Sequence, residues 1–308
     1  MPDLDVLVAG ELNPDLILSA PGLTPRFGQR EVLVESAELT IGSSSAIFAC
    51  GAARLGLRVG FVGVVGDDEF GRFMSRSLAA AGVDVSAMIV DQKERTGLSV
   101  ILSRGADRAI LTSLGAIRAL EGRHIPDSLL GKARHVHVGS FFLQTGLQGD
   151  AIDLFRRARS LGLTTSLDTN WDPAGAWKGV DEILPLTDVF LPNAMEAQAL
   201  TGTGDPEAAL ARLAEVVPCV AVKLGGEGAV ARRGTETARV AARPVALVDT
   251  VGAGDSFDAG FLYGQLHHWP LDRSLKLGVA CGSLSTRAAG GTAAQPTLAE
   301  AQMFVEGG

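Results

Sequence analysis

Long apolar runs, paired cysteines and a basic surface are all missing from this sequence, and each absence removes a class of function. No stretch approaches the roughly 18 consecutive apolar residues of a membrane-spanning helix. Lys and Arg number 27 against 35 Asp and Glu, a formal net charge of −8. That balance argues against broad binding of nucleic acid or of an acidic membrane, although an acidic chain can still hold phosphate in a local nest of backbone N–H groups. Cys50, Cys219 and Cys281 are odd in number, far apart and set among apolar residues, which suits reduced, buried thiols and a cytoplasmic location. The opening MPDLDVLVAGELNPD has no basic n-region, so it reads as a first strand and not as a signal peptide. Also absent are the G-x-x-x-x-G-K-[ST] of a P-loop and a G-x-G-x-x-G after the first strand, which disfavours P-loop and standard dinucleotide folds.

What is present is apolar material for a full core, 46 % of the 308 residues, with 38 glycines and only 5 % aromatics. This suits an α/β fold with many tight strand-to-helix turns. Buried strands are expected at 4–10 and 58–66, and helices at 44–56 and 68–82. After residue 130 the rhythm becomes regular. Strands at 135–139, 164–168, 188–192 and 220–224 alternate with helices at 148–161, 193–201, 206–216, 255–267 and 271–288, which implies a parallel sheet with helices on both faces. The segments 12–40 and 96–112 do not join this rhythm. In the second, Leu98, Val100 and Leu102 alternate with smaller or polar residues and RGAD makes a turn, the pattern of a hairpin. Both segments are read as a small β lid inserted into one domain spanning 1–308.

The stretch with the most chemistry is 249–262, DTVGAGDSFDAGFL. Gly252 and Gly254, with Ala253 between them, allow the backbone to turn its N–H groups inward at a helix start, where the helix dipole adds partial positive charge. The result is an anion hole fit for a phosphoryl group, and Asp255 is the nearest carboxylate to take a proton from an attacking hydroxyl. A plain strand–turn–helix with Asp255 as its N-cap is the simpler alternative. His135 and His137 share a strand face, but without a third ligand a packed or capping role is favoured over metal.

This stretch is similar to the C-terminal signature of the ribokinase-like, or PfkB, carbohydrate kinases. Other pieces resemble that family in the same order: Asn13-Pro-Asp15; the segment from Gly42 to Gly56; VGDDEFG at 65–71; Asp168-Thr-Asn170 with Trp177; Asn193-Ala-Met-Glu196; and Lys223-Leu-Gly225-Gly-Glu-Gly228. The resemblance implies a three-layer α/β/α core with a mostly parallel sheet and a β-sheet lid, and an ATP-dependent sugar kinase. It implies Asp255 as base and Gly252, Ala253 and Gly254 as anion hole. Asn13, Asp15, Gly42 and Ser43 would hold sugar hydroxyls. Asn193 and Glu196 would order Mg2+, through water, and the ATP phosphates, while Lys223, Gly225 and Gly228 would line the nucleotide. A monovalent cation such as K+ would sit at the Asp249 carboxylate and the Val251 carbonyl. A homodimer through the lid would cover its apolar face.

Three departures bear on the acceptor. The family's Gly-Gly start is Gly42-Ser43, its usual Asn is Ile47, and the Lys of sugar-phosphate members is Ser44. Arg104 and Arg108 in the hairpin could still reach a phosphate. Asp172 stands where keto-acid sugar kinases tend to place Arg, and is expected to repel a carboxylate. A neutral sugar is therefore expected, with a nucleoside kinase or a non-catalytic sugar-binding protein as alternatives. Ser140 and Phe141, after strand 135–139, are candidates for acceptor choice.

Overall fold

The strand Val6–Ala9 is buried along its whole length, and its side chains divide between two cores. Val6 and Val8 join one apolar cluster, Leu7 and Ala9 the other. A strand alternates its faces, so this division places Val6–Ala9 inside a sheet covered on both sides. The computed structural model describes residues 2–104 and 107–307. In it, an eight-stranded sheet runs in the order Glu236–Val240, Ala229–Arg233, Cys219–Lys223, Val189–Phe190, Thr164–Leu167, His135–Val138, Val6–Ala9, Val59–Val62. Pairings from Val59–Val62 through to Cys219–Lys223 are parallel, and the last two strands add an antiparallel hairpin at one edge. Helices Ser44–Arg54, Glu69–Ala80, Ala253–Leu266 and Leu271–Ser285 cover one face. Helices Ala151–Ser160, Ala194–Thr201 and Pro206–Leu213 cover the other.

The second sheet has four strands, in the order Ser36–Ile41, Pro14–Ser19, Leu98–Arg104, Asp107–Ser113. Its middle pair is parallel, joining residues 14–19 to 98–104, and its outer pairs are antiparallel. Register makes its two faces unlike. Asp15 lies opposite Thr40 and Ser99, and Ser99 opposite Thr112, giving a polar row. Leu16 lies opposite Leu39 and Val100, and Val100 opposite Leu111, giving an apolar row on the reverse face. Ile17 and Ile101, on the polar row's face, pack with Val251. The apolar alternation of Leu98, Val100 and Leu102 therefore points away from the cavity, and Ser99 and Ile101 point in.

Several boundaries differ from the sequence reading. Residues 58–66 form two strands: Val59–Val62 stays in the main sheet, while Val64–Gly66 leaves it to pair in parallel with Ile89–Asp91. The helix expected over 148–161 breaks into Thr145–Gln148 and Ala151–Ser160. The edge hairpin of Ala229–Arg233 and Glu236–Val240 was not expected at all. The RGAD turn falls on Gly105 and Ala106, outside the described residues.

Candidate active site

One cavity of about 910 Å3 lies between the second sheet and the C-terminal ends of the parallel strands. Clefts at this end of an open α/β sheet are where such folds place their ligands. Its lid side carries the polar row Asp15, Ser99 and Thr112, together with Asn13. Asn13 Nδ2 donates to Ser99 Oγ (3.1 Å) and to Asp15 Oδ1 (3.4 Å). Gly42 faces this group so closely that a Cβ there would lie 2.1 Å from Asp15 Oδ1. No other residue fits at 42 while Asp15 keeps this position.

At the centre the helix Ala253–Leu266 begins. Its N-cap, Gly252, has φ +71°, and a Cβ there would stand 2.7 Å from the Gly291 Cα. Glycine thus permits both the left-handed turn and the close approach. The turn directs the start of a 14-residue helix, with Gly252, Ala253 and Gly254, at the cavity. First-turn N–H groups lack partners inside a helix, so this end suits an anion, although Ala253 N also reaches the Thr250 carbonyl at 3.3 Å. Asp255 sits in that first turn, buried.

The charges around Asp255 are dense. Lys223 Nζ donates to Asp168 Oδ2 (3.0 Å) and to both oxygens of Asp258 (3.0 and 3.1 Å). Oxygens of Asp168, Asp255 and Asp258 lie within 4.8 Å of one another. Such a carboxylate cluster can hold a cation, and here the Lys223 ammonium fills that part. Burial and the negative Asp168 push Asp255 up to about 7, against the pull of Lys223. Burial drives Asp258 well above the carboxylate range. Lys223 is raised because its burial is outweighed by the carboxylates around it.

Beyond the helix start, Asn193 caps the helix Ala194–Thr201 in a reciprocal box: its Oδ1 accepts from Glu196 N (3.0 Å), and Glu196 accepts from Asn193 N (2.9 Å) and Nδ2 (2.6 Å). Both residues also line the cavity, so helix capping and a ligand-facing position coincide. Burial, then the nearby Asp168, pushes Glu196 up to about 7. Gly225, Gly226 and Gly228 continue the wall, and Val245, Leu247, Val279 and Thr286 make its more apolar end. Asp249 is held in a turn, accepting from Val251 N (3.0 Å) and Gly290 N (2.9 Å). Arg108 crosses from the second sheet to this turn, donating to Thr250 Oγ1 (3.1 Å), with its guanidinium 3.9 Å from Asp249.

Comparison with known proteins identifies the family of the chain. Residues 3–298 match the model of the pfkB family carbohydrate kinases. The chain belongs to this family. A pfkB relative, the ribokinase of Haemophilus influenzae, is 27 % identical over 308 residues, covering 97 % of each chain. The fructokinase of Klebsiella pneumoniae is 34 % identical over 275 residues, covering 83 % of this chain and 88 % of its own. An Escherichia coli protein assigned as a ribokinase II, solved in complex with ATP and Mg2+, superposes with a TM-score of 0.88 at 26 % identity, over 99 % of this chain and 100 % of that one.

Within the pfkB fold, the residues singled out in the sequence converge. Asn13, Asp15, Ser43, Asn193, Glu196, Lys223, Gly225, Gly228, Val251 and the 252–255 turn all line the one cavity. Gly42 and Asp249 stand just behind the lining, against Asp15 and Arg108 respectively. Two readings at the acceptor end need correction. Asp172 does not face the cavity; its carboxylate accepts from the N–H groups of Ala174, Ala176 and Trp177, closing a loop. It therefore repels no acceptor. Of the two residues after strand His135–Val138, Ser140 lines the cavity, while Phe141 packs edge-on against Phe142. His135 and His137 are buried and bonded to Ser166 and Thr164 hydroxyls, the packed role favoured from sequence.

Sequence reasoning missed Glu11. It is 2 % exposed, and accepts from Ser45 N (3.2 Å) and from the Ser45 hydroxyl. A buried acid directly after a strand-ending glycine, in GELNPD, was the available signal. The Asp258 and Asp168 partnership with Lys223 was also missed.

Proposed function

We propose that this protein transfers the γ-phosphoryl group of ATP to a hydroxyl of a small, unphosphorylated sugar, with Asp255 as the base. The observation that carries the proposal is the position of Asp255: buried, in the first turn of a glycine-led helix, between a wall of sugar-type hydrogen-bonding groups and a wall of glycines. The acceptor hydroxyl lies against Asp255, whose carboxylate takes its proton as the oxygen attacks the γ-phosphorus and ADP leaves. N–H groups of the 252–254 turn receive the charge that builds on the transferred phosphoryl oxygens.

Asn13, Asp15, Gly42 and Ser43 hold the acceptor, and Lys223, Gly225 and Gly228 border the nucleotide. The oxygen donors of Glu196 and Asn193 suit Mg2+, which keeps most of its waters. Bound there, the ion neutralises charge on the ATP phosphates. Asp249 and the Val251 carbonyl suit a monovalent cation, in competition with Arg108, so potassium should stimulate turnover only modestly. Closure of the 14–41 and 98–113 sheet as a lid excludes water, a competing acceptor. The acceptor end favours a neutral substrate, because Glu11, Asp15 and Asp255 all present carboxyl groups there. The apolar row Leu16, Leu39, Val100 and Leu111 suits a second copy of the chain, giving a lid-to-lid homodimer. A cytoplasmic location agrees with an ATP-consuming role and with three free, buried cysteines.

A coupled ADP-release assay over ribose, fructose, adenosine and inosine tests the reading. Turnover on a sugar, lost in Asp255→Asn by about 10^3-fold or more, supports it. Preference for a nucleoside would move the acceptor class, and sugar binding without turnover on any acceptor would make this a binding protein.

A further inference from the structure

The four-stranded sheet touches the turn before the helix Ala253–Leu266 at points spread across its width. In the middle, Ile17 and Ile101 pack on Val251. At one edge, Thr40 of the strand Ser36–Ile41 abuts Gly290, where a Cβ would stand 3.1 Å from the Thr40 methyl group. Gly290 N in turn donates to Asp249 Oδ2 (2.9 Å). At the other edge, Arg108 of the strand Asp107–Ser113 donates to Thr250 Oγ1 (3.1 Å), with Asp249 Oδ1 3.9 Å away. Asp249 Oδ1 also accepts from Val251 N (3.0 Å), so these points are joined through one carboxylate. Thr250 carries Arg108 on its hydroxyl, while its carbonyl accepts from Ala253 N (3.3 Å), the first residue of the helix. One residue thus belongs both to the sheet's attachment and to the turn that faces the phosphoryl position. On the sheet's side, Arg108, Ile110 and Thr112 alternate along one strand and all line the cavity. Thr112 belongs to the polar row, its Oγ1 3.0 Å from Ser99 Oγ. The strand that carries Arg108 is therefore also part of the acceptor wall.

We propose that Arg108 is a positioning residue that fastens the acceptor wall to the phosphoryl turn, by its hydrogen bond to Thr250. This rests on the reading of 252–254 as the anion hole. Packing of Ile17, Ile101 and Thr40 holds the two parts together but has no direction. The bond to Thr250 Oγ1 has one, and it sets how far the outer strand closes over the turn. A planar guanidinium with five N–H groups holds Thr250 and faces Asp249 at the same time. The Arg108 side chain is 38 % exposed, so the contact is weak enough to break and re-form as the sheet opens to admit an acceptor. Arg108 acts through the turn and not upon ATP.

Hydrogen exchange followed by mass spectrometry reads this fastening without any turnover. Arg108→Met keeps the aliphatic stem and removes the guanidinium. Amides of 98–104 and of 249–252 should then exchange about three- to fivefold faster, the range of an exposed charged contact, while the strand His135–Val138 keeps its rate. Thr250→Val, which removes the accepting oxygen and keeps the shape, should give the same rise. The double variant should exchange no faster than either single one, because the two residues act through one bond. In the coupled assay, KM for the acceptor should rise by a similar factor, with KM for ATP unchanged. Unaltered exchange in Arg108→Met, additive effects in the double variant, or a rise spread evenly over both sheets would overturn the proposal. So would a rise confined to KM for ATP, which would make Arg108 a phosphate ligand. Absence of wild-type turnover would instead sink the kinase reading, while exchange still reports on Arg108.

Discussion

The proposed mechanism asks Asp255 to be two things at once, a buried side chain and a proton acceptor. Burial and Asp168 raise it to about 7, and Lys223 keeps it from rising further. In that proposed role its working form is the anion, so kcat/KM should climb with pH through an acid limb near 7, and a limb at the ordinary carboxylate value of about 4 would show that another group is the base. The same shift has a cost in stability. The folded state holds a proton on Asp255 between pH 3.8 and about 7 that the unfolded chain has released, so stability present at low pH is lost as pH rises through that window. Asp255→Asn should therefore be inactive yet more heat-stable than the wild type at pH 8, by on the order of 2–5 °C. Differential scanning calorimetry at pH 8 and pH 5 would show it, the gain being larger at pH 8. Lys223 behaves oppositely. Lys223→Met would leave Asp168 and Asp258 buried without their cation, which costs about 3–5 kcal/mol, measurable by urea unfolding. A loss under 1 kcal/mol would mean that the two acids accept protons at little cost.

At the scale of elements, the strand His135–Val138 has a comparable tension. His135 and His137 are buried and neutral, with burial holding His137 down to about 3 and His135 well below its usual range. The unfolded chain takes up these protons near pH 6.5, so the stability they contribute is intact above that value and is lost as pH falls from 6.5 toward 3. In His137→Asn the slope of unfolding free energy against pH between 6 and 4 should lessen by one proton; an unchanged slope would mean that His137 titrates normally when folded. This strand was legible in the sequence because valine and histidine alternate in a short run between turn signals. The 252–255 turn was legible because its glycines, its acid and the following helix are contiguous. The edge hairpin Ala229–Arg233 with Glu236–Val240 was not, because Ala229, Val230 and Ala231 are apolar on both faces and Arg232 and Arg233 fall one on each, so no apolar–polar alternation shows. Lys223 with Asp258 could not be read from spacing, since the pair is 35 residues apart and joined only by the sheet-to-helix packing. Asp172 was misread because an acid's position in a motif does not reveal which way its carboxylate turns.

Across the whole molecule, the cavity divides the chain into a thick layered body and a thin four-stranded cover. The body has apolar clusters on both faces of its sheet. On its inner side the cover packs the apolar side chains of Ile17 and Ile101 against Val251, and on its outer side it leaves Leu39 and Leu111 exposed at 41 % and 60 %. A second chain over that outer face would supply what the cover lacks. Sedimentation velocity should give about twice the 31.9 kDa chain mass, and Leu111→Glu, which sets a charge in the apolar row, should give the monomer and a lower affinity for the acceptor. A wild type that sediments as a monomer at micromolar concentration would exclude the lid-to-lid dimer.

The opposed rows of the cover make it unequally tolerant of different genetic changes. Exchanging one side chain alters one position on one face. Deleting Pro14 moves every later side chain of the strand Pro14–Ser19 to the other face, so Asp15 leaves the cavity-facing row and Leu16 enters the cavity wall in its place. A library built by codon replacement in 14–19 and 98–104 should therefore explore new acceptors, whereas one built by codon deletion in the same segments should return chains that neither bind sugar nor pair.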